Sequence, residues 1–210
     1  MELKTITENI SYLPASENPL SSDVVFIKEN NENWIFDTGH TDQARDLIED
    51  LSGKKNIVIS HFHEDHTYNL NRITYDNLYL SSWTFKKVHK GTIIENQMII
   101  NEDFRILTIP SSHEKGCLII EYKDYAFMGD ALYARPKILH HTYNAQLLKG
   151  MIECLEGLKA KYFCLSHAGN FIQKRESVIR LYKDIYKRHK AGNPIIDVED
   201  FFNADGSVKE

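Results

Sequence analysis

Cysteine, proline and tryptophan are scarce in this 210-residue chain, with 3, 5 and 2 copies. Cys117, Cys154 and Cys164 are odd in number and unrelated in spacing, so they build neither a disulfide framework nor a zinc ribbon. Each lies in an apolar stretch, where a thiol is expected to be buried as a small hydrophobe. Long apolar runs are missing as well: none approaches the roughly 20 residues that cross a bilayer. The segment Met1–Ile10 has neither the apolar core nor the small-residue cleavage site of a signal peptide. A cytoplasmic location with no membrane partner is therefore expected. Positive charge is also short, with a net charge of −5 and no long run of lysine or arginine. Nucleic-acid binding draws on a basic face, so nucleic acid is not the expected main partner. Internal repeats, low-complexity tracts and Pro/Gly-rich linkers are lacking, which predicts one domain over residues 1–210. A hydrophobic share of 42% with 26% charged residues is that of an ordinary globular chain.

Histidine is what the chain has in number, with 10 copies, several of them clustered. The elements around the cluster can be read from periodicity. Val24–Ile27 and Trp34–Phe36 are short apolar strands flanking the polar run 28–33, which reads as a hairpin loop. Thr41 is placed to cap a helix running to about Leu51, with Leu47, Ile48 and Leu51 on one face and Gly53 as its stop. Asn56–Ser60 is a continuous apolar strand. Further strands are expected at Asn77–Leu80, Thr92–Glu95, Gln97–Ile100, Phe104–Ile109, Cys117–Glu121, Tyr125–Met128 and Tyr162–Leu165, with a short helix at Ser82–His89. Tyr143–Leu158 and roughly Lys174–His189 carry apolar residues at helical spacing.

The cluster His61-Phe62-His63-Glu64-Asp65-His66 follows the strand ending at Ser60 directly. It therefore sits where a rigid element can aim side chains into a cleft. Imidazole and carboxylate are the donors expected for catalytic zinc, and also for iron or manganese. In an extended stretch i and i+2 point the same way, so His61 and His63 can share one ion. A turn near Asp65 can bring Asp65 and His66 to a second.

H-x-H-x-D-H after a strand resembles the signature of the metallo-β-lactamase superfamily, and the likeness extends from about Val24 to His167. Four more landmarks stand in that superfamily's order: Asp37-Thr38-Gly39, Ser112-His113-Glu114-Lys115-Gly116, Met128-Gly129-Asp130 and Ser166-His167-Ala168-Gly169. They look most like the glyoxalase II-like branch. The resemblance implies an α/β chain of the α+β type, a four-layer αβ/βα sandwich of two mixed β-sheets flanked by helices. It implies two divalent metal ions, zinc before iron or manganese. His61, His63 and His113 would take one ion, Asp65, His66 and His167 the other, and Asp130 would bridge them. Each of His113, Asp130 and His167 also follows a predicted strand, so all can gather at sheet edges.

Asp37, at a strand end, is suited to accept a ring N–H from a ligand histidine and fix its tautomer. Gly39 allows a tight turn. Tyr133, Arg135, His140 and His141 fall in the loop after Asp130 and are candidates to touch substrate. Tyr68 and Asn69 are placed to cap a following helix. The chemistry implied is metal-assisted hydrolysis of a small ester, thioester or lactone by a metal-bridged hydroxide, with Asp65 and Asp130 as candidate proton shuttles. The alternatives are a mononuclear iron dioxygenase acting on a persulfide and a phosphodiesterase or nuclease of the same superfamily.

Overall fold

The computed structural model describes residues 2–136 and 141–198. It divides into two compact units, residues 1–98 and 99–210.

The first unit is built on a seven-stranded mixed sheet in the order β1-β2-β5-β6-β7-β8-β9. Its elements are β1 (Lys4–Thr7), β2 (Ile10–Leu13), β3 (Ser16–Glu17), β4 (Leu20–Ser21), β5 (Val24–Glu29) and β6 (Glu32–Phe36), then α1 (Asp42–Glu49) and β7 (Lys55–Val58). They are followed by α2 (Glu64–Thr67), a 3-10 turn (Tyr68–Asn71), β8 (Asn77–Ser81), α3 (Ser82–Val88) and β9 (Thr92–Ile94). The short pair β3 and β4 forms a separate two-stranded ribbon.

The expected hairpin loop is narrower than the polar run suggested. Strands β5 and β6 pair through Glu29 and Glu32, leaving Asn30 and Asn31 to turn. Both have positive φ, 52° and 62°, as a two-residue hairpin turn requires and asparagine tolerates. Strands β6 to β9 are parallel neighbours joined by helical crossovers. Thr41 caps α1 by accepting from the Ala44 amide, and Ala44 and Ile48 are its buried face. They pack with Val24, Phe26, Ile35, Ile57 and Leu78 in the core of this unit. The strands of the first 21 residues escaped the sequence reading: β1 is half exposed and too short to show a period.

The second unit has a six-stranded mixed sheet in the order β10-β11-β12-β13-β16-β17. Its strands are β10 (Gln97–Asn101), β11 (Phe104–Ile109), β12 (Cys117–Tyr122) and β13 (Tyr125–Gly129), with β14 (Arg135–Pro136) and β15 (His141–Asn144) after them. Helix α4 (Ala145–Glu156), β16 (Tyr162–Leu165), β17 (Ile172–Lys174), α5 (Arg175–Tyr186) and β18 (Ile195–Asp197) complete it. Strands β14, β15 and β18 make a small sheet of their own.

Two helix boundaries differ from expectation. The helix expected at 143 begins at Ala145, because Tyr143 and Asn144 end β15 and the Asn144 side chain caps α4 by accepting from the Gln146 and Leu147 amides. Helix α5 stops at Tyr186, so His189 lies beyond it and stacks on the Tyr186 ring. Leu148, Met151, Leu155, Val178, Tyr182 and Ile185 bury the inner faces of α4 and α5 in one core with Ile119, Met128 and Phe163 of the sheet. Glu121 is buried on β12 and binds the turn before β16, accepting from the Lys159 and Ala160 amides and pairing with Arg105.

Two large mixed sheets with helices match the expected fold class. Among the described residues no helix is long and apolar enough to cross a membrane. Cys117 and Cys164 are buried thiols and Cys154 is half-buried, as their apolar settings predicted.

Candidate metal centre

In the first unit, β6 and β7 run parallel, so Asp37 and the start of the histidine cluster leave the sheet at the same edge. The Asp37 amide donates to the Val58 carbonyl at 2.9 Å. Asp37 itself has φ +63°, a left-handed conformation that aspartate accepts more readily than branched residues. Beyond Ile59, His61 is fully buried and its ring centroid lies 4.3 Å from that of His63 and 4.2 Å from that of His66. His63 remains extended, with φ −62° and ψ 149°, and forms the N-cap of α2. That helix is the redirecting turn: it carries Asp65 and His66 on its first residues, while Glu64 points to solvent.

The helix is laced to the Asp37-Thr38-Gly39 loop. The His66 carbonyl accepts from the Thr38 amide at 2.9 Å and the Thr38 hydroxyl at 3.0 Å, and the Asp65 carbonyl accepts from the Ser22 amide at 3.0 Å. Gly39 has φ +62°, and a Cβ there would meet Ser21 Oγ at 2.8 Å and Val24 Cγ2 at 2.9 Å, so glycine is required twice over. Asn69 does not cap a following helix. It is fully buried and donates to the Thr38 and Thr41 carbonyls, tying the loop to the end of α2.

Electrostatics orient the rings. Asp37 Oδ2 lies 2.7 Å from His66 Nδ1, and Asp37 Oδ1 accepts from the Ser60 amide at 2.8 Å. Burial pushes the Asp37 carboxyl above its ordinary value, opposed by the His66 ring and by hydrogen bonds from Ser60. With Nδ1 held by the carboxylate, His66 turns Nε2 toward Asp65 Oδ2, 3.3 Å away. Sequence reasoning missed Ser60, whose hydroxyl sits 3.0 Å from His61 Nδ1 and 3.2 Å from His66 Nδ1. Its signal was only its place, one residue before the cluster.

In the second unit, β11 is antiparallel to β12 and β12 to β13, while β13 is parallel to β16. Strands β11, β13 and β16 therefore point the same way. Their C-terminal ends deliver His113, Asp130 and His167 to one edge. Asp130 is buried and divides its carboxylate: Oδ2 is 3.5 Å from His113 Nε2, and Oδ1 is 3.9 Å from His167 Nε2. The His113 amide donates to Ser111 Oγ, which fixes its loop. His167 has φ +60°, and the turn carrying it is held by the Ser166 amide donating to Gly129 and the Tyr133 hydroxyl donating to the Ser166 carbonyl. The donor chemistry of both sets, neutral imidazole nitrogens against carboxylate oxygens, fits a divalent transition ion.

The sequence profile of the metallo-β-lactamase superfamily matches residues 18–75, which contain both Asp37-Thr38-Gly39 and the histidine cluster. Solved structures agree over much more of the chain. VMB-1 superposes with a TM-score of 0.65 at 18% identity, covering 89% of this chain and 96% of its own. The DIM-1 metallo-β-lactamase does so with a TM-score of 0.65 at 15% identity and the same coverages. Residues 18–75 thus resemble the metallo-β-lactamase superfamily in sequence, and the chain has the metallo-β-lactamase fold. A chemotaxis sensor, ODP, solved as a peroxy diiron species, shares the fold at 13% identity with a TM-score of 0.66, covering 89% of this chain and 94% of its own. No curated protein matches the sequence.

In this metallo-β-lactamase-fold chain, the candidate substrate contacts fall in different settings. Tyr133 is half-buried with its hydroxyl engaged at Ser166 and its ring 6.5 Å from that of His113. Arg135 and His141 are exposed positions on the paired strands β14 and β15. His140 lies outside the described residues.

Proposed function

We propose that the two donor sets close on one dinuclear centre and that the protein is a metal-dependent hydrolase of a small ester, thioester or lactone. In this reading His61, His63 and His113 hold one ion, and Asp65, His66 and His167 hold the other. The observation that carries it is Asp130, whose two oxygens face two different ligand histidines as a bridging carboxylate's would. Two divalent ions, when bound, supply a nucleophile from water at neutral pH and polarise the scissile carbonyl. No serine or cysteine nucleophile is then needed.

The chain's own residues divide the remaining work. Asp37 holds the His66 proton at Nδ1 and keeps Nε2 for ligation. The Asp65 side chain keeps 13% of its surface exposed against 8% for Asp130. Asp65 and Asp130 are the carboxylates that would move a proton, Asp65 being the more exposed, while Asp130 would be held more firmly if it bridged the ions. Residues 1–98 and 99–210 act in this reading as a single catalytic domain, working on a small molecule in the cytoplasm.

A second reading, an iron-dependent redox centre, is favoured by the likeness to the diiron sensor ODP. A mononuclear iron dioxygenase would be its simplest form. The net charge of −5 weighs against the third member of the set, a nuclease.

Elemental analysis of the purified protein, with a panel of thioesters, lactones and phosphodiesters, separates these. Two zinc ions per chain with ester or thioester cleavage are expected. One iron per chain with oxygen uptake would replace the hydrolase by the redox reading. His63→Ala should lose metal and bring activity to background; full activity at a normal metal load in that variant would refute the ligand assignment.

A further inference from the structure

Ser60 stands between the two ligand histidines of the first unit. Its side chain is buried, 1% exposed, at the end of the segment leading from β7 into the cluster. A serine hydroxyl has one proton to give and two lone pairs to offer. Two ring nitrogens lie within reach of it: His61 Nδ1 at 3.0 Å and His66 Nδ1 at 3.2 Å.

The proton count in this cluster has one consistent solution if both rings ligate through Nε2. A neutral imidazole carries a single N–H, so Nδ1 must hold it in both. The His66 Nδ1–H goes to Asp37 Oδ2, the shorter contact at 2.7 Å. The His61 Nδ1–H then donates to Ser60 Oγ, 3.0 Å away. Asp37 thus holds the His66 ring, and Ser60 holds the His61 ring. The carboxylate's remaining oxygen is held by the Ser60 amide at 2.8 Å, so Ser60 touches the support of both rings.

We propose that Ser60 is a positioning residue that fixes the Nδ1–H tautomer of His61 and so controls affinity for the ion which His61 holds. The inference rests on the dinuclear reading, in which His61 and His66 serve different ions. It predicts an asymmetric effect. When the hydroxyl is removed, His66 keeps its 2.7 Å carboxylate contact, whereas His61 loses the acceptor at 3.0 Å. A lost outer-shell partner of this kind weakens metal binding by about 10–100-fold.

The test is zinc titration of metal-free wild type, Ser60→Ala and Ser60→Thr against a competing chelator, with imidazole tautomers read by nitrogen-15 NMR in the zinc-loaded wild type. Ser60→Ala should bind one of two ions about 10–100-fold more weakly and leave the other within a few-fold of wild type. Ser60→Thr, which keeps the hydroxyl, should restore the lost affinity. The wild-type spectrum should place the His61 proton on Nδ1. Wild-type affinity for both ions in Ser60→Ala, or a His61 proton on Nε2, overturns the inference while the metal reading stands. Wild type that takes up no divalent ion overturns that reading and the inference with it. A wild-type spectrum with the His61 proton on Nε2 overturns the inference even if a substitution at this buried position prevents folding.

Discussion

His61, His63, Asp65 and His66 come from six consecutive residues at the end of one strand, whereas His113, Asp130 and His167 come from the ends of three strands far apart in the chain. The first set needs one local geometry: an extended step followed by a helix start, with Asp37 and Thr38 holding it from the neighbouring strand end and Ser60 from the residue before it. The second set exists only because β11, β13 and β16 run in the same direction. A local set carries its supports with it. A distributed set is as well placed as the sheet that presents it. The two should therefore fail differently.

The largest difference is expected at Asp130. Its two oxygens face His113 and His167, so Asp130→Asn should disturb both ions and bring activity to background. Asp65→Asn, by contrast, removes a donor from one side only and should spare the ion held by His61 and His63. Elemental analysis of both variants checks this. Two tightly held ions in Asp130→Asn would erase the distinction between a bridging and a terminal carboxylate.

The same contrast explains what could be read before folding. The cluster could be picked out because H-x-H-x-D-H is a local pattern, and Asp37 because it ends a recognisable strand, where its carboxylate lies 2.7 Å from His66 Nδ1. Strands β11 and β16 and the core faces of α4 and α5 were legible from apolar runs and periodicity. Ser60 was not, because a serine acquires its role only when β6 brings Asp37 alongside. Asn69 was misread as a cap because its partners, the carbonyls of Thr38 and Thr41, lie about thirty residues back in the chain. The His40 ring lies 3.7 Å from that of Tyr68, a contact that no local spacing signals. Tyr143 was assigned to a helix because its apolar ring fits the helical period; strand pairing with β18 overrode that local preference.

A second, smaller contrast concerns the scaffold. Glu121 holds the turn that leads into β16, and His167 stands two residues past that strand's end. Glu121→Ala would leave two amides and the Arg105 guanidinium without this acceptor, at a cost on the order of 2–3 kcal/mol. Its denaturant midpoint should fall accordingly. Under mild denaturant the variant should lose the ion that depends on His167 before the one held by His61 and His63. Simultaneous loss of both ions along the whole curve would show that the distributed set is no more fragile than the local one.

The smallest effect is silent at neutral pH and belongs to the second unit. Tyr143 and Tyr182 are buried side by side, ring centroids 6.0 Å apart, and the Tyr143 hydroxyl donates to the Leu132 carbonyl at 2.8 Å. Burial raises both phenols above the ordinary tyrosine value, Tyr143 well above it. A raised folded-state value means the native protein keeps protons that the unfolded chain gives up. The corresponding stability is fully present below about pH 10, where both states are protonated, and is lost as pH rises past that point. The slope is up to about 1.4 kcal/mol per pH unit for each phenol. Tyr182→Phe removes one titrating group and should flatten the decline above about pH 10. Tyr143→Phe should flatten it too, but from a baseline about 1 kcal/mol lower below about pH 10, because the bond to Leu132 goes with the hydroxyl. Denaturant unfolding at about pH 8 and about pH 11 measures both effects. A Tyr182→Phe variant that weakens as steeply as wild type would place the alkaline sensitivity elsewhere than in this buried pair.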